Sequence, residues 1–530
     1  MFFTAGALAL VWPPFGLTWL AWVALVPFLG AIERAPSPLH AAVQGGWLAL
    51  GFGALTLAPI ATAYGSYQGV GAVGGVVAAV LTGVVFQLVW PVFAAARRAW
   101  PTGTVASLGA AGLYAGLDAV IPKPFGDTLG LAFYDHAWLR QVADLGGPWV
   151  LTFVIVLVNE AAHRLYRDGP AQWTRHRPAL AVAAGAVVLT TLYGAIRHAQ
   201  WSDREARAPG RLSVVVVQGN LPLEVRERAS TGDDPASEQI IEAYLEASRA
   251  ALRGSPADLV VWPETTYPGL FRMPVTEAQA QRNVAVDRFV QQAGQPLVLG
   301  TYLGEEVDGQ VVQYNGIVAL TPREGGRVPI PELVGYRKRE LVPFGETVPG
   351  LGNGPTARAW FPHVSFFGRG PGPVALPVDL KGQRVVLGPS VCYEDLFVRI
   401  PLTEVDLGAE VLLNVSHDGW FGHWSVRQIH LAHAVFRSVE VRRPQIRSAT
   451  SGISALVSAT GDRLAEGPEA AAAVVRGTLA TGLTGSSPIR ATGPGLAPAL
   501  WLGLAGWVFV RGRLSAAGGT SGPRSSPPPP

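Results

Sequence analysis

The sequence predicts two unlike parts in one chain: a multi-span α-helical membrane region of about eight helices and a layered α/β domain. Three observations lead there. Only 15% of the 530 residues are charged, against about 25% in ordinary soluble domains. The deficit is local, because residues 1–198 hold only 17 of the 41 basic and 38 acidic side chains. Between 199 and 490, β-branched apolar runs of strand length alternate with stretches of helical spacing.

The first part, 1–198, carries apolar stretches near 2–12, 17–32, 41–63, 69–95, 104–121, 147–163 and 178–196. Pro13-Pro14, Glu33-Arg34, Arg97-Arg98 and the polar segment 122–146 interrupt them. Several approach the roughly 20 residues that cross about 30 Å of hydrocarbon. No basic run opens the first stretch and further ones follow, which predicts a retained helix rather than a cleaved signal. An eighth stretch, 493–510, closes on Arg511 and Arg513 and gives a last membrane helix within 491–513. The Ser, Gly and Pro-rich 514–530 is expected to be a disordered tail.

Basic residues in alternate loops orient these spans. One set of loops holds Arg34, Arg97, Arg98, Arg164, Arg167, Arg175, Arg177, Arg511 and Arg513, and the other holds Lys123 and Arg140. Nine against two places both termini in the cytoplasm and residues 199–490 outside. The net charge of +3 and pI near 9.0 reflect this arginine excess in loops and do not point to nucleic acid.

In 199–490, strands are expected at 211–219, 257–264, 295–302, 315–320, 383–394 and 409–416. Helical spacing covers 236–252, 276–293 and 425–441. The single cysteine, Cys392, excludes an internal disulfide and a cysteine metal cluster. No P-loop, HExxH or glycine fingerprint after a strand is present, so neither metal nor cofactor is expected.

Three expected strand ends each present one reactive group: Glu264 after LVVWP, Lys338 in GYRKRELVPFGE, and Cys392 after VVLGPSV. Singly, each has a plainer reading, as a helix-start carboxylate, a solvated cation and an inert core thiol. Lysine is scarce, however: Lys123, Lys338 and Lys381 stand against 38 arginines. A lysine kept inside an RKR run points to a compact ammonium that arginine does not replace. Thiol, carboxylate and ammonium together are what covalent acyl transfer needs: a nucleophile, a base and an oxyanion stabiliser.

WPE (262–264), the lysine of KRELVPFGE (338–346) and CYED (392–395) resemble the nitrilase superfamily, whose Glu-Lys-Cys triad has this order. With DGWFG (418–422) and the membrane layout, the chain more closely resembles the apolipoprotein N-acyltransferase family over all but its tail. The resemblance implies an αββα nitrilase-like sandwich outside a bacterial inner membrane. It also implies a two-step reaction. Cys392 takes an acyl chain from a phospholipid as a thioester, then passes it to the α-amino group of a diacylglyceryl-cysteine on an apolipoprotein. Glu264 is the implied base and Lys338 the oxyanion cation, joined by the Tyr393 N–H. Glu346 and Glu394 match acidic positions that orient Lys338 and the amine. Asn315 matches a polar position near the site, with a turn residue as its other reading. A membrane-tethered amidase, with water as acceptor, is the alternative that the triad alone leaves open.

Two departures from the family pattern stand out. His417 replaces a usual Asn and reads as a packing or surface variation rather than a second base. RSATSGISA (447–455) lacks the Asn common after that motif's Arg-Ala-Thr. Finally, segment 347–382 is long, Gly and Pro-rich, and carries Trp360, Phe361, Phe366 and Phe367. Rings clustered in a long loop predict a lid over 350–370 that touches the bilayer interface, with Trp420 as a further lipid contact.

Overall fold

The computed structural model describes residues 1–56, 77, 80, 83, 85, 87–123, 125–273, 275–323, 335–380, 382–421 and 424–518. The N-terminal region is helical. Its main helices are α1 (Phe2–Val11), α2 (Val26–Arg34), α3 (Pro38–Thr56), α4 (Val89–Arg98), α5 (Thr104–Val120), α6 (Trp149–Asp168) and α7 (Trp173–Ala206).

At 1.5 Å per residue, the ten residues of α1 reach about 15 Å, half a hydrocarbon core. The apolar stretch 17–32 likewise breaks into a 3-10 turn, Thr18–Trp22, and the nine residues of α2. Among the described residues one helix, Pro170–Ala206, is long and apolar enough to cross a membrane. The pair Leu139–Gly146 and Trp149–Asp168, bent by 117°, adds a second if it counts as one span. The expected eight spans therefore reduce, in what is described, to a helical region with few clear ones. Much of the stretches 41–63 and 69–95 lies outside the described residues.

The second region is a two-sheet sandwich. Its strands are β1 (Gly210–Gln218), β2 (Leu259–Leu270), β3 (Leu297–Val307), β4 (Gln310–Leu320), β5 (Gly335–Arg337), β6 (Leu376–Leu380), β7 (Gln383–Val391), β8 (Val411–Ser416), β9 (Gln445–Ala449), β10 (Ala455–Val457), β11 (Arg463–Glu466) and β12 (Ala473–Thr481). One sheet has the order β12-β1-β2-β3-β4-β5 and the other β11-β10-β9-β8-β7-β6. Each centres on three parallel strands, β1-β2-β3 and β7-β8-β9, with antiparallel flanks.

Alternation within the strands builds two layers from one sheet. Val214, Val216, Val261 and Ile317 face Val385, Leu387, Leu413 and Ile446 of the other sheet. Their neighbours Val215, Val217, Val260 and Trp262 face away, onto helices α8 (Asp234–Leu252) and α9 (Glu277–Ala293). These helices begin at side-chain caps, Asp233 accepting from the Ala236 N–H and Thr276 from the Gln279 N–H.

The second sheet is covered by α10 (Trp424–Val441), whose Leu431, Val435, Phe436 and Val439 share one core with Leu131, Phe133 and Leu151 of the helical region. Where the two regions meet, buried charges pair. Arg442 binds Asp144 at 2.5 Å, and Arg197 and Tyr193 of α7 bind the same carboxylate at 2.8 and 2.7 Å. A final helix, α11 (Leu496–Gly518), runs five residues into the stretch expected as a tail, and the rest of that tail lies outside the described residues.

Candidate active site

The three sequence-flagged groups come to one buried point between the sheets. Glu264 lies in β2 at a break in its parallel register with β3, between the pairs at Trp262 and Tyr267, where Gly300 of β3 leaves room: a Cβ there would stand 2.5 Å from the Glu264 Cα. Lys338 directly follows β5, and its backbone N–H donates to the Asn315 carbonyl of β4. Cys392 follows β7 at a sharp turn into the 3-10 helix Cys392–Leu396, with φ at +51°, a left-handed value rarely taken by residues other than glycine.

Lys338 is wholly buried, and its ammonium donates to both oxygens of Glu346 at 2.9 Å. Asn315 donates through Nδ2 to Glu264 Oε1 at 2.7 Å and to Glu346 Oε1 at 3.1 Å, so it links the two carboxylates. The Val342 N–H holds the far oxygen of Glu346. Glu394 does different work. It accepts from the Tyr336 hydroxyl and the N–H groups of Arg339, Glu340 and Val391, tying the Lys338 loop to the Cys392 turn.

Burial opposes the Lys338 charge, but Glu346 and Glu264 outweigh it and hold the ammonium above its usual range. Burial pushes Glu264 up, with Lys338 opposing. Burial and then the Glu264 carboxylate push the Cys392 thiol up, while Lys338 pulls it down. The three groups form one electrostatic unit: a protonated thiol, a carboxylate of raised proton affinity and a fixed cation. That set can deprotonate a thiol, attack a carbonyl and stabilise the resulting oxyanion.

Tyr393 follows the thiol, packs edge-on against Phe397 at 5.2 Å and lines a cavity of about 700 Å³ with Glu340, Leu341, Val348 and Phe367. His417 is buried rather than at the surface. Burial and Arg226 push its imidazole well below the usual range, and its backbone N–H approaches Glu264.

The aromatic segment divides. Trp360 is 72% exposed at the end of a short helical turn, Pro355–Trp360, and Phe361 is half-buried against Phe344. Phe366 and Phe367, expected to contact lipid, are instead buried. Phe366 sits in a small core with Val348, Ala357 and Val364, and Phe367 stacks on Tyr302 at 5.3 Å. Phe366 thus closes a small core of the segment's own apolar residues, and Phe367 fastens the segment to β3. Trp420 falls in the turn Asp418–Phe421, and its side chain lies outside the described residues.

Sequence reasoning assigned no part to Asn414, Ser416, Asp418, His430 and Arg447, which surround the Cys392 turn. The available signal was polar or charged residues inside runs that otherwise read as core.

The chain matches the family model of carbon-nitrogen hydrolases over 218–488 and that of the apolipoprotein N-acyltransferase N-terminal domain over 4–161. It is similar to proteins named apolipoprotein N-acyltransferase. The one from Bdellovibrio bacteriovorus is 32% identical over 67% of this chain and 64% of its own length, just under two thirds. That from Pseudomonas putida is 30% identical over 71% of this chain and 68% of its own. That from Geobacter metallireducens is 29% identical over 90% of this chain and 88% of its own.

Proposed function

The chain belongs to the apolipoprotein N-acyltransferase family, and from that premise we propose that it moves an acyl chain from a phospholipid to a lipoprotein through Cys392. Glu264 takes the thiol proton, and the thiolate attacks the ester carbonyl. Lys338, with the Tyr393 N–H, stabilises the tetrahedral oxyanion. The oxyanion collapses, the ester bond breaks, and the lysophospholipid leaves with the proton from Glu264. In the second step the free α-amino group of a diacylglyceryl-cysteine attacks the thioester. Glu264 accepts the amine's proton and returns it to the departing thiolate, giving an amide and the resting enzyme. Glu346 orients Lys338, and Asn315, donating to both carboxylates, holds Glu264 beside Glu346 while both face the same cation.

The observation that carries this reading is the burial of Glu264, Lys338 and Cys392 as one electrostatic unit. The helical region is proposed to sit in the bacterial inner membrane, with the sandwich outside and both termini cytoplasmic. The nine-to-two bias of basic loops supports that orientation. Outward-facing Leu189, Leu192 and Ile196 on α7, each more than half exposed, support contact with lipid rather than water. Residues 199–490 are the proposed catalytic part, and of the expected lid 350–370 the part before residue 364 is proposed to move beside it.

The test uses purified full-length protein, a phospholipid with labelled acyl chains and a diacylated lipopeptide. Intact mass should rise by one acyl group after phospholipid alone and return to baseline on adding lipopeptide, which gains the label. An equal gain on Cys392→Ser overturns the thioester. Free fatty acid with unmodified lipopeptide overturns the transferase in favour of a hydrolase.

A further inference from the structure

We infer that His430 carries a proton on both ring nitrogens, and that this buried imidazolium aims the Cys392 turn and favours its thiolate, making His430 a positioning residue. The inference rests on the reading of Cys392 as nucleophile.

His430 lies on α10, 4% exposed, between two groups that can only accept. Its Nε2 is 3.0 Å from the Cys392 carbonyl oxygen, and a carbonyl has no proton to give. Its Nδ1 is 2.9 Å from Asp418 Oδ1. Asp418 is a carboxylate in this setting: Arg447 donates to Oδ2 at 2.7 Å and the Ser416 hydroxyl donates to Oδ1. Despite burial, Arg447 foremost, with the Ser416 hydroxyl, holds Asp418 far below the usual carboxylate range. Both ring nitrogens must therefore donate, and an imidazole with two donors is a cation.

Charge balance agrees. Arg447 faces two carboxylates, Asp418 and Asp395, the latter at 3.0 Å. Two acids thus face one guanidinium, and an imidazolium supplies the second cation; burial pushes Asp395 up, with Arg447 opposing. Among the described residues, Arg437 is a further charged group nearby; it donates to the Asp395 and Leu396 carbonyls and pairs with Glu440. His433, one turn along, donates to the Phe125 carbonyl, and burial keeps it neutral.

Consequences for the nucleophile follow from where the cation sits. The left-handed backbone of Cys392 is an unfavourable state that surroundings must impose. Its carbonyl is gripped by His430 and, at 3.4 Å, by the Asn414 amide. A positive charge at that carbonyl opposes burial, the Glu264 carboxylate and the imidazolium's own partner Asp418, which all favour the neutral thiol, and it acts with Lys338 and the Ser416 hydroxyl, which favour the thiolate.

Two measurements test it. In full-length protein with isotope-labelled histidine, the His430 ring signals are assigned by their loss in His430→Gln; both nitrogens should read as protonated at pH 8, and a single-proton tautomer overturns the inference. Cys392 is the only thiol, so its iodoacetamide alkylation against pH reports one site. His430→Gln keeps an N–H for the carbonyl without charge, so the alkylation midpoint should rise by about one pH unit or more, with the thermal midpoint little changed. An unmoved alkylation midpoint in a folded variant overturns the electrostatic role. Should that variant not fold, the ring signals are assigned in the wild type by through-bond transfer from the His430 backbone, and they decide alone. If phospholipid never acylates Cys392, the functional reading fails; if it does and His430 is neutral, only this inference fails.

Discussion

Lys338 and Glu346, eight residues apart on one loop, grip each other through two contacts of 2.9 Å in a place where water does not reach the ammonium. A buried pair of this kind is weak support for stability, since desolvation cancels much of its attraction. Its value is positional. The second carboxylate, Glu264, is held to Glu346 by the Asn315 amide rather than by the cation, so the three groups keep a fixed geometry around the Cys392 turn.

Lys338→Arg keeps the charge but replaces a compact ammonium by a planar fork in a fully packed site. Acyl-enzyme formation should slow by about 10²–10³-fold, the usual cost of losing one oxyanion donor. Intact-mass time courses after phospholipid addition measure it. Near-normal acylation by the arginine variant would reduce Lys338 to a structural cation.

Activity should fall on the acid side above the ordinary glutamate range. Glu264 must be ionised to accept the thiol proton, and burial raises its proton affinity despite Lys338. As pH drops through that raised value the base is lost, so the first-step rate declines with falling pH. Glu264→Gln should remove the step altogether while leaving lipid binding intact. A rate for the wild type that stays flat down to about pH 4.3, the unperturbed glutamate value, would sink the assignment of Glu264 as base.

How much of this was legible beforehand differs by residue. Glu264 and Cys392 were readable because each closes a short apolar run, Lys338 because a scarce lysine stands inside an RKR run, and the main central strands from β-branched content. Asn315 was left between a site residue and a turn residue. Its double donation depends on where β4 lies against β3, opposite Tyr302, a pairing no local window contains. His430 is one of two histidines on α10, and only the approach of the Cys392 carbonyl, 38 residues away in sequence, sets it apart. In the N-terminal region hydropathy reported apolar length but not breaks, so 17–32 read as one helix where two short elements form.

The junction between the two regions should be fragile to loss of one carboxylate. Asp144 is wholly buried and serves Arg442, Arg197 and the Tyr193 hydroxyl together. Asp144→Ala strands a buried guanidinium at Arg442, a change that typically costs about 3–5 kcal/mol. A lower thermal midpoint and easier proteolysis are expected in detergent. An unchanged midpoint would mean that water reaches Arg442 in solution.

The aromatic segment gives the last prediction, because burial separates its rings into two classes. Residues 364–370 are laced to the site by backbone bonds: Ser365 N–H to Gly345, Phe367 N–H to Glu346, Gly368 N–H to Gln313 and Gly370 N–H to Lys338. Phe367 is fixed further by Tyr302 and by the Asn353 amide on its carbonyl. Movement of that stretch would disturb Lys338 and Glu346 themselves, so any lid motion belongs to the part before it, around the exposed Trp360. Phe367→Ala should therefore behave as a core deletion, costing about 3–5 kcal/mol and lowering turnover of every substrate alike. Trp360→Ser should leave the thermal midpoint in place, yet slow acyl uptake from phospholipid vesicles several-fold more than from a small soluble ester. That difference is expected because an exposed indole favours the bilayer interface and has no packing to lose. Equal rates on vesicles and soluble ester, in wild type and variant alike, would show that Trp360 plays no part in lipid access.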